Sequence, residues 1–416
     1  MHARLFKLIG VAAVVAGVVF VVTLASAAVG VPNASAAGQA PAAPRVASKA
    51  RPTAAIRTPW GDPDLQGIWT DEFDTPLQRP ARYASKEVFT DEERAELDKQ
   101  RAALLGRDRR VERGTELDVA GAYNSVFMAF KRTGRRTSLI VDPPDGRIPP
   151  TTAEARQRAA ADREFRLALL QSTETCRNKS VACAGSTYDP MPSPRRAESP
   201  PRYNTARMNR FDNPEDGGLA DRCLADNTGG LPVFGSAFGG MFRRIVQTPR
   251  GVTMYYDVGQ GQGFQRNIVM NGSPHLPDRI RQWYGDSRGR WEGGTLVVDV
   301  TNFSPKVDFM GSRENLHLVE RWIRTGPDTL EYIVTIEDPT VWTRSWTVKE
   351  ELTRQSEKEN RIYYEPRCHE GNYAFSAMLL AARLADKAYA EGRGPHPATK
   401  DNATDFVGVE ENPFGR

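Results

Sequence analysis

Between Arg243 and Pro366 the chain breaks into short runs of β-branched and aromatic residues separated by turn signals, and no other feature narrows its fold as much. Candidate strands are Arg243 to Gln247, Val252 to Asp257, Phe264 to Met270, Gln282 to Gly285, Thr295 to Val300, Leu316 to Ile323, Leu330 to Ile336, Thr343 to Leu352 and Arg361 to Pro366. Their close spacing leaves no room for the crossovers that parallel pairs need, so sequential antiparallel pairing is expected. A set of that size hides its edges by closing on itself. The predicted fold class is mainly β with flanking helices (α+β): an antiparallel meander closing into a lipocalin-like barrel or a strongly curved sheet, with an N-terminal clasp and a C-terminal helix. A barrel of about eight strands has room for one small ligand.

Within this region, Arg281 to Trp322 is the densest stretch. Alternation puts Leu316, Leu318, Glu320 and Trp322 on one face of a strand and Asn315, His317, Val319, Arg321 and Ile323 on the other. Asp308, Arg313 and Glu314 fall in the irregular connection before it, where binding groups on a rigid scaffold tend to lie.

The amino terminus sets the compartment. Arg4 and Lys7 precede an uncharged apolar run from Leu8 to Gly30 that ends in Ala34-Ser35-Ala36, the layout of a secretory signal cleaved after Ala36. The run is also long enough to span a bilayer as an uncleaved anchor. The expected location is therefore exported, periplasmic or extracellular, with anchoring by this segment as the alternative. The net charge of +4 includes Arg4 and Lys7, so the mature chain is nearly balanced and gives no electrostatic case for nucleic acid. After signal cleavage no membrane contact is expected. Four cysteines in an exported chain point to two disulfides, expected as Cys176-Cys183 and Cys223-Cys368. Their spacing lacks any paired C-x-x-C or H-x-x-x-H pattern, so no metal is expected.

Residues 37–57 are rich in Ala, Pro and basic residues and read as a disordered leader. Residues 58–217 read as a helix- and loop-rich part that wraps the core. They open on Thr58 to Trp69, an irregular clasp whose Gly67-Ile68-Trp69 also matches the G-x-W at the start of lipocalin barrels. Capping boxes at Thr90/Glu93 and Thr151/Glu154 start two helices, and the Pro-rich stretch 172–217 is a long loop. Residues 218–392 hold the barrel-like core and an amphipathic helix, and 393–416 read as a disordered tail.

The phrases TPWGDPDLQGIW, RRTSLIVDPPDGRIPP, PHLPDRIRQWYGDSRGRWEGGTLVVDVTNF, ENLHLVERW and CHEGNY together resemble a large family of exported bacterial proteins without a settled activity. The resemblance spans most of residues 58–375. It implies export and one co-folded unit, and leaves the chemistry to the residues. This chain reads Gly294 in WEGG where the family often reads WEGD, which weakens any role for a carboxylate there.

Nucleophilic catalysis has little support, since there is no G-x-S-x-G elbow and Gly285-Asp-Ser-Arg-Gly289 reads as a polar hairpin turn. The Gly259 to Gly263 run lacks the strand-turn-helix setting of a dinucleotide fingerprint, so no cofactor is expected. His317 and Glu320, three apart on a strand, point to opposite faces and cannot share an ion. What remains is acid/base chemistry by a histidine beside a carboxylate. The expected catalytic groups are His317, His369, Glu370 and Asp286. Arg288, Arg313, Arg321, Trp283, Trp291, Asn315 and Tyr373 are expected to bind the substrate. The expected function is proton transfer on a small apolar or aromatic molecule in a barrel cup, as in a lyase, isomerase or hydrolase. A non-catalytic carrier and an envelope structural protein are the alternatives.

Overall fold

The structure, a computed structural model, describes residues 56–105, 131–225, 230–234, 242–259, 262–355 and 373–403. Its strands in chain order are β1 (Gly67–Thr70), β2 (Phe73–Asp74), β3 (Arg132–Thr133), β4 (Ile140–Asp142), β5 (Phe242–Thr248), β6 (Gly251–Gly259) and β7 (Gln262–Val269). β8 (Asp286–Glu292), β9 (Thr295–Thr301), β10 (His317–Arg324), β11 (Thr329–Glu337) and β12 (Trp346–Gln355) follow. Strands β5 to β12 pair in sequence, and β1 bridges β5 and β12, so the sheet closes into a nine-stranded barrel. The region expected to be a clasp thus supplies the closing strand. Trp69 is buried at its centre, with its indole N–H donated to Leu65 O and Arg324 stacked over its ring.

The meander departs from the expectation at β7–β8, which touch in parallel through Val269 and Arg288. The reason is the connection from Met270 to Gly285, expected to hold the strand Gln282 to Gly285. It instead carries the chain back to the same end of the barrel, with Gln282 in only an isolated bridge to Phe303. The polar turn expected at Gly285 to Gly289 is the start of β8. Gly285 makes the bend at φ +69°. Gly289 faces inward, where a Cβ would lie 2.4 Å from Met270 Sδ and 2.6 Å from Ile268 Cγ2. Its lack of a side chain answers close packing, which composition alone cannot distinguish from a turn.

Period-two alternation then decides the two faces of the wall. Leu318, Glu320 and Trp322 of β10, with Leu330, Tyr332, Val334 and Ile336 of β11, are fully or almost fully buried inside. Large rings fill the interior: Trp322 stacks on Tyr332 at 4.2 Å, and Tyr256 on Phe264 at 4.8 Å. Two ion pairs lie among them. Arg266 reaches both carboxylate oxygens of Glu320 at 3.0 and 2.6 Å, and Tyr332 donates its hydroxyl to the same carboxylate at 3.0 Å. Arg243 donates to Glu350 at 2.9 Å and to Val233 O at 2.7 Å. Burial and the neighbouring Glu320 push the Tyr332 hydroxyl well above its ordinary range, and burial pushes Tyr256 up to about 12. Both phenols therefore stay neutral. The cup expected to receive imidazoles is a packed core.

Outside the barrel, Thr90 and Glu93 form the expected capping box before the Asp91–Leu105 helix. The second helix, Ala153–Leu170, is capped by Thr152 rather than Thr151, through a bond from Ala155 N–H. Cys176 and Cys183 are bonded as expected. Cys223 is also disulfide-bonded, and its expected partner Cys368 lies outside the described residues. The Tyr373–Ala390 helix has no buried residue, so it flanks the fold and plugs nothing. Residues 393–403, expected in a disordered tail, are packed: Ala398 is fully buried, Asp401 accepts from Thr175, and Asn402 N–H donates to Asn209 Oδ1. The expected signal, most of the leader and residues 404–416 lie outside the described residues. No described helix is long and apolar enough to cross a membrane.

Candidate functional site

The faces that bury Glu320 turn His317 outward. On that outer wall the strand register lines up a row of titratable side chains. Arg288 of β8 stands opposite Asp299 of β9, and His317 of β10 stands opposite Glu337 of β11. His317 leans diagonally along the pleat and meets both neighbours: Nδ1 is 3.0 Å from Glu337 Oε2, and Nε2 is 3.1 Å from Asp299 Oδ1. A second imidazole arrives from the β7–β8 connection. His275 Nε2 is 3.1 Å from the same Asp299 Oδ1, and its Nδ1 is 2.9 Å from Asp286 Oδ2. Asp286 is fixed in turn by Arg288, through bonds of 2.8 and 2.9 Å, and by the Leu276 N–H at 3.1 Å. The result is a continuous chain, Glu337–His317–Asp299–His275–Asp286–Arg288, about a third exposed at both rings and at Asp299.

The charges follow from these contacts. The hydrogen bond to Asp299 raises the pKa of His317, and the bond to Glu337 adds to it against partial burial. The same bond from His317, reinforced by His275, holds the Asp299 carboxyl below its ordinary value despite burial. At Asp286 burial pushes the pKa up, but bonds from Arg288, the Leu276 amide and His275 outweigh it and leave the group lowered. The row sets two partly exposed imidazoles between carboxylates at the protein surface. Among the described residues, no group of three or more His, Cys, Asp or Glu side chains could hold a metal ion.

Of the expected catalytic residues, His317 and Asp286 come together in this chain, linked through Asp299 and His275. His369 and Glu370 lie outside the described residues. His317 does not face the barrel interior, because its strand parity forbids it. The expected substrate-binding residues mostly scatter. Arg288 belongs to the row, and Arg321 shares the outer face opposite Val297 and Ile333. Arg313 instead organises the preceding loop, bonded to Asp308, Tyr203 O and Pro305 O. Asn315 is exposed, Trp283 and Trp291 pack half-buried against the core, and Tyr373 stands 93% exposed, so they form no common wall. Sequence reasoning missed His275, Asp299 and Glu337. For Asp299 a signal existed: it is the acid in the apolar run Thr295 to Val300, placed on the outward parity.

A cavity of about 240 Å³ lies elsewhere, at the barrel seam, lined by residues including Asp71, Phe73, Leu139, Lys349 and Glu350. It opens where β12 has β4 paired to one part of its edge and β1 to another. Its ionic groups are largely committed to partners, Asp71 to Lys131, Lys349 to Glu331 and Glu350 to Arg243. The linked row of imidazoles and carboxylates lies apart from this cavity, on the outer wall.

No protein-family model and no curated protein matches the chain. Among solved structures, it is similar to a heat-soluble SAHS protein from Ramazzottius varieornatus, at 13% identity over 28% of this chain and 72% of that one, with a TM-score of 0.20. It is also similar to a mutant of the fluorescent protein UnaG, at 15% identity over 28% of this chain and 73% of that one, with a TM-score of 0.18. The barrel assignment rests on the strand order itself.

Proposed function

We propose that the protein is an exported acid/base enzyme that moves a proton on a small organic molecule at the outer wall of its barrel. The observation that carries this reading is the shared Asp299 Oδ1, 3.1 Å from an imidazole nitrogen on each side. A carboxylate bridging two imidazoles keeps a proton deliverable on one side and a base available on the other once a proton has left. Arg288, fixed beside Asp286, supplies positive charge next to the row. The disulfide between Cys176 and Cys183 fits an oxidising, exported compartment.

The test reads proton exchange directly, whatever the product. Mixtures of small carbonyl compounds, hydroxy acids and esters are incubated with the protein in D₂O, and NMR follows deuterium entering carbon positions. A substrate class should exchange with wild type, and His317→Gln should slow it by about 100-fold or more. Exchange equal in wild type and His317→Gln would remove the proposal.

The seam cavity supports a second reading, a non-catalytic carrier, because Phe73 and Leu139 give it an apolar floor. Thr75 lines the same cavity, so on that reading a bound apolar fluorophore is lost in Thr75→Trp and kept in Asp299→Asn.

A further inference from the structure

Where the barrel closes, the edge of β12 is shared between two strands that do not meet. β4 takes its first part, through Thr347 and Val348, and the Lys349 N–H donates to Leu139 O at 2.9 Å. β1 takes its last part, from Thr353, opposite Thr70, to Gln355. Continued by two residues in that register, β1 would set Glu72 opposite Glu351. It does not continue, because Glu72 O accepts from the Arg132 N–H at 3.0 Å and the chain turns away to pair with β3. Strand alternation then fixes what is left open. The Lys349 N–H points to this edge, and that of Arg354, which donates to Asp328 O, points to the opposite one. Glu351 therefore turns both its N–H and its C=O into the gap. Among the described residues it is registered only with Glu331 of β11, on the other side, so one rung of the ladder stays open.

The 240 Å³ seam cavity lies on this rung, with Glu351 in its lining and Phe73 and Leu139 as apolar walls. Its charges are almost all engaged. Of three lining arginines, Arg94 is held by Thr133 O and Asp91, and Arg136 by Glu87 and Ser138 O. The third, Arg135, is exposed, and its side chain makes no hydrogen bond or ion pair among the described residues. Asp71 and Glu350 are paired with Lys131 and Arg243, whereas the exposed Glu351 carboxylate has no cation within ion-pair distance among the described residues. One cation and one anion are thus left to meet a ligand, beside one open backbone N–H and one open C=O.

We propose that the seam cavity takes a short apolar peptide of two or three residues with free ends, one residue of which completes the ladder at Glu351. An extended peptide residue offers an N–H and a C=O side by side, the complement of the open pair on Glu351. Its apolar side chain covers Phe73 and Leu139. Its carboxylate and ammonium ends match the Arg135 guanidinium and the Glu351 carboxylate. A fatty acid or a bare aromatic ring would satisfy the walls and leave the rung and the Glu351 carboxylate unmet. As the identity of a ligand the inference rests on the carrier reading above. The open rung does not, and it is measured without ligand.

The experiment uses the full-length protein with leucyl-leucine as probe. In amide hydrogen exchange of the free protein, Glu351 should exchange at least about tenfold faster than Lys349 and Thr353, and saturating leucyl-leucine should slow it by about tenfold. In calorimetric titration, binding should weaken by about tenfold in Arg135→Gln, a change at an exposed side chain, and by a similar factor when the probe is methylated at its peptide nitrogen. A Glu351 amide as protected as its two neighbours in the free protein overturns the inference. Equal binding of N-acetyl-leucyl-leucinamide, which lacks charged ends, or of hexanoate, which lacks the amide, also overturns it. Leucyl-leucine that fails to bind, while the apolar fluorophore binds wild type and is lost in Thr75→Trp, sinks this inference and leaves the carrier reading standing. If neither probe binds, both fall.

Discussion

Glu320→Ala should be among the most damaging single changes in the barrel. Its carboxylate accepts two bonds from Arg266 and one from Tyr332, all inside the wall, with Glu320 itself fully buried. The Arg266 guanidinium keeps its proton because the adjacent Glu320 raises its pKa against the opposing effect of burial. Removing the carboxylate therefore leaves a buried, uncompensated cation, at a cost of about 3–5 kcal/mol. With an unfolding entropy of about 2.1 cal/mol/K per residue over roughly 300 residues, about 4 kcal/mol corresponds to a Tm lower by about 6 °C. Arg266→Met/Glu320→Leu removes both charges and fills the space with apolar atoms. It leaves the Tyr332 hydroxyl and the Trp322 indole N–H, which donates to Glu320 Oε2 at 3.4 Å, without their acceptor, about 1–3 kcal/mol each, a loss that Glu320→Ala suffers as well. The double variant should thus be more stable than Glu320→Ala, with strong non-additivity between the two sites. Urea unfolding and calorimetry on wild type, Glu320→Ala, Arg266→Met, Glu320→Leu and the double variant measure this. Additive losses, or a Glu320→Ala protein within about 1 kcal/mol of wild type, would refute the claim that this pair is a desolvated unit.

Three further outcomes are expected. Stability should peak in mildly acidic solution. His317, with its pKa raised above 6.5, contributes fully below that value and loses its contribution as pH rises through the folded pKa. Asp286 and Asp299, lowered from 3.8, contribute above that value and lose theirs as pH falls through the folded pKa. A Tm profile from pH 3 to 9 should show both flanks, with the alkaline one flattened in Asp299→Asn. Gly285→Ala should cost about 2–3 kcal/mol in urea unfolding, because the residue has φ +69° and its new methyl would lie 2.7 Å from Thr301 O. Cys176→Ser should cost about 2 kcal/mol or less in calorimetry, since the bond closes a sequence separation of only 7 residues.

What the sequence made legible was parity. Alternation in Leu316 to Ile323 separated Glu320 from His317 correctly, and the turn signals placed most of the barrel strands. What stayed hidden depends on contacts made at long range. Gly67 to Trp69 is four residues of strand once Thr70 is included, too short for a periodic signal; its G-x-W matched a barrel start, but only pairing with β5 and β12 at once makes it the closing strand. The β7–β8 connection hid a strand because Asp286, Ser287 and Gly289 are turn-forming types, and only the packing of Ile268 and Met270 against Gly289 shows why they serve in a wall. The expectation of a hollow cup failed for a related reason. Apolar and ionic inward positions can be counted along each strand, but whether their volumes fill the barrel depends on how rings such as Trp322 and Tyr332 stack across it.

The same parity that closes the interior explains why the titratable row lies outside. A buried guanidinium must be matched by a buried carboxylate, and Arg243 with Glu350 and Arg266 with Glu320 use the inward acids for that purpose. Acids on outward positions, Asp286, Asp299 and Glu337, have no such obligation to an internal cation and are free to meet histidines near solvent. On β10 the two classes occur three residues apart, Glu320 inward and His317 outward, so one strand serves both. Substitution of Glu320 should therefore lower stability at every pH, whereas substitution of His317 should change its pH dependence. A pH–stability profile of His317→Gln identical in shape to wild type would mean that the outer row is not electrostatically coupled, and the site would lose its physical basis.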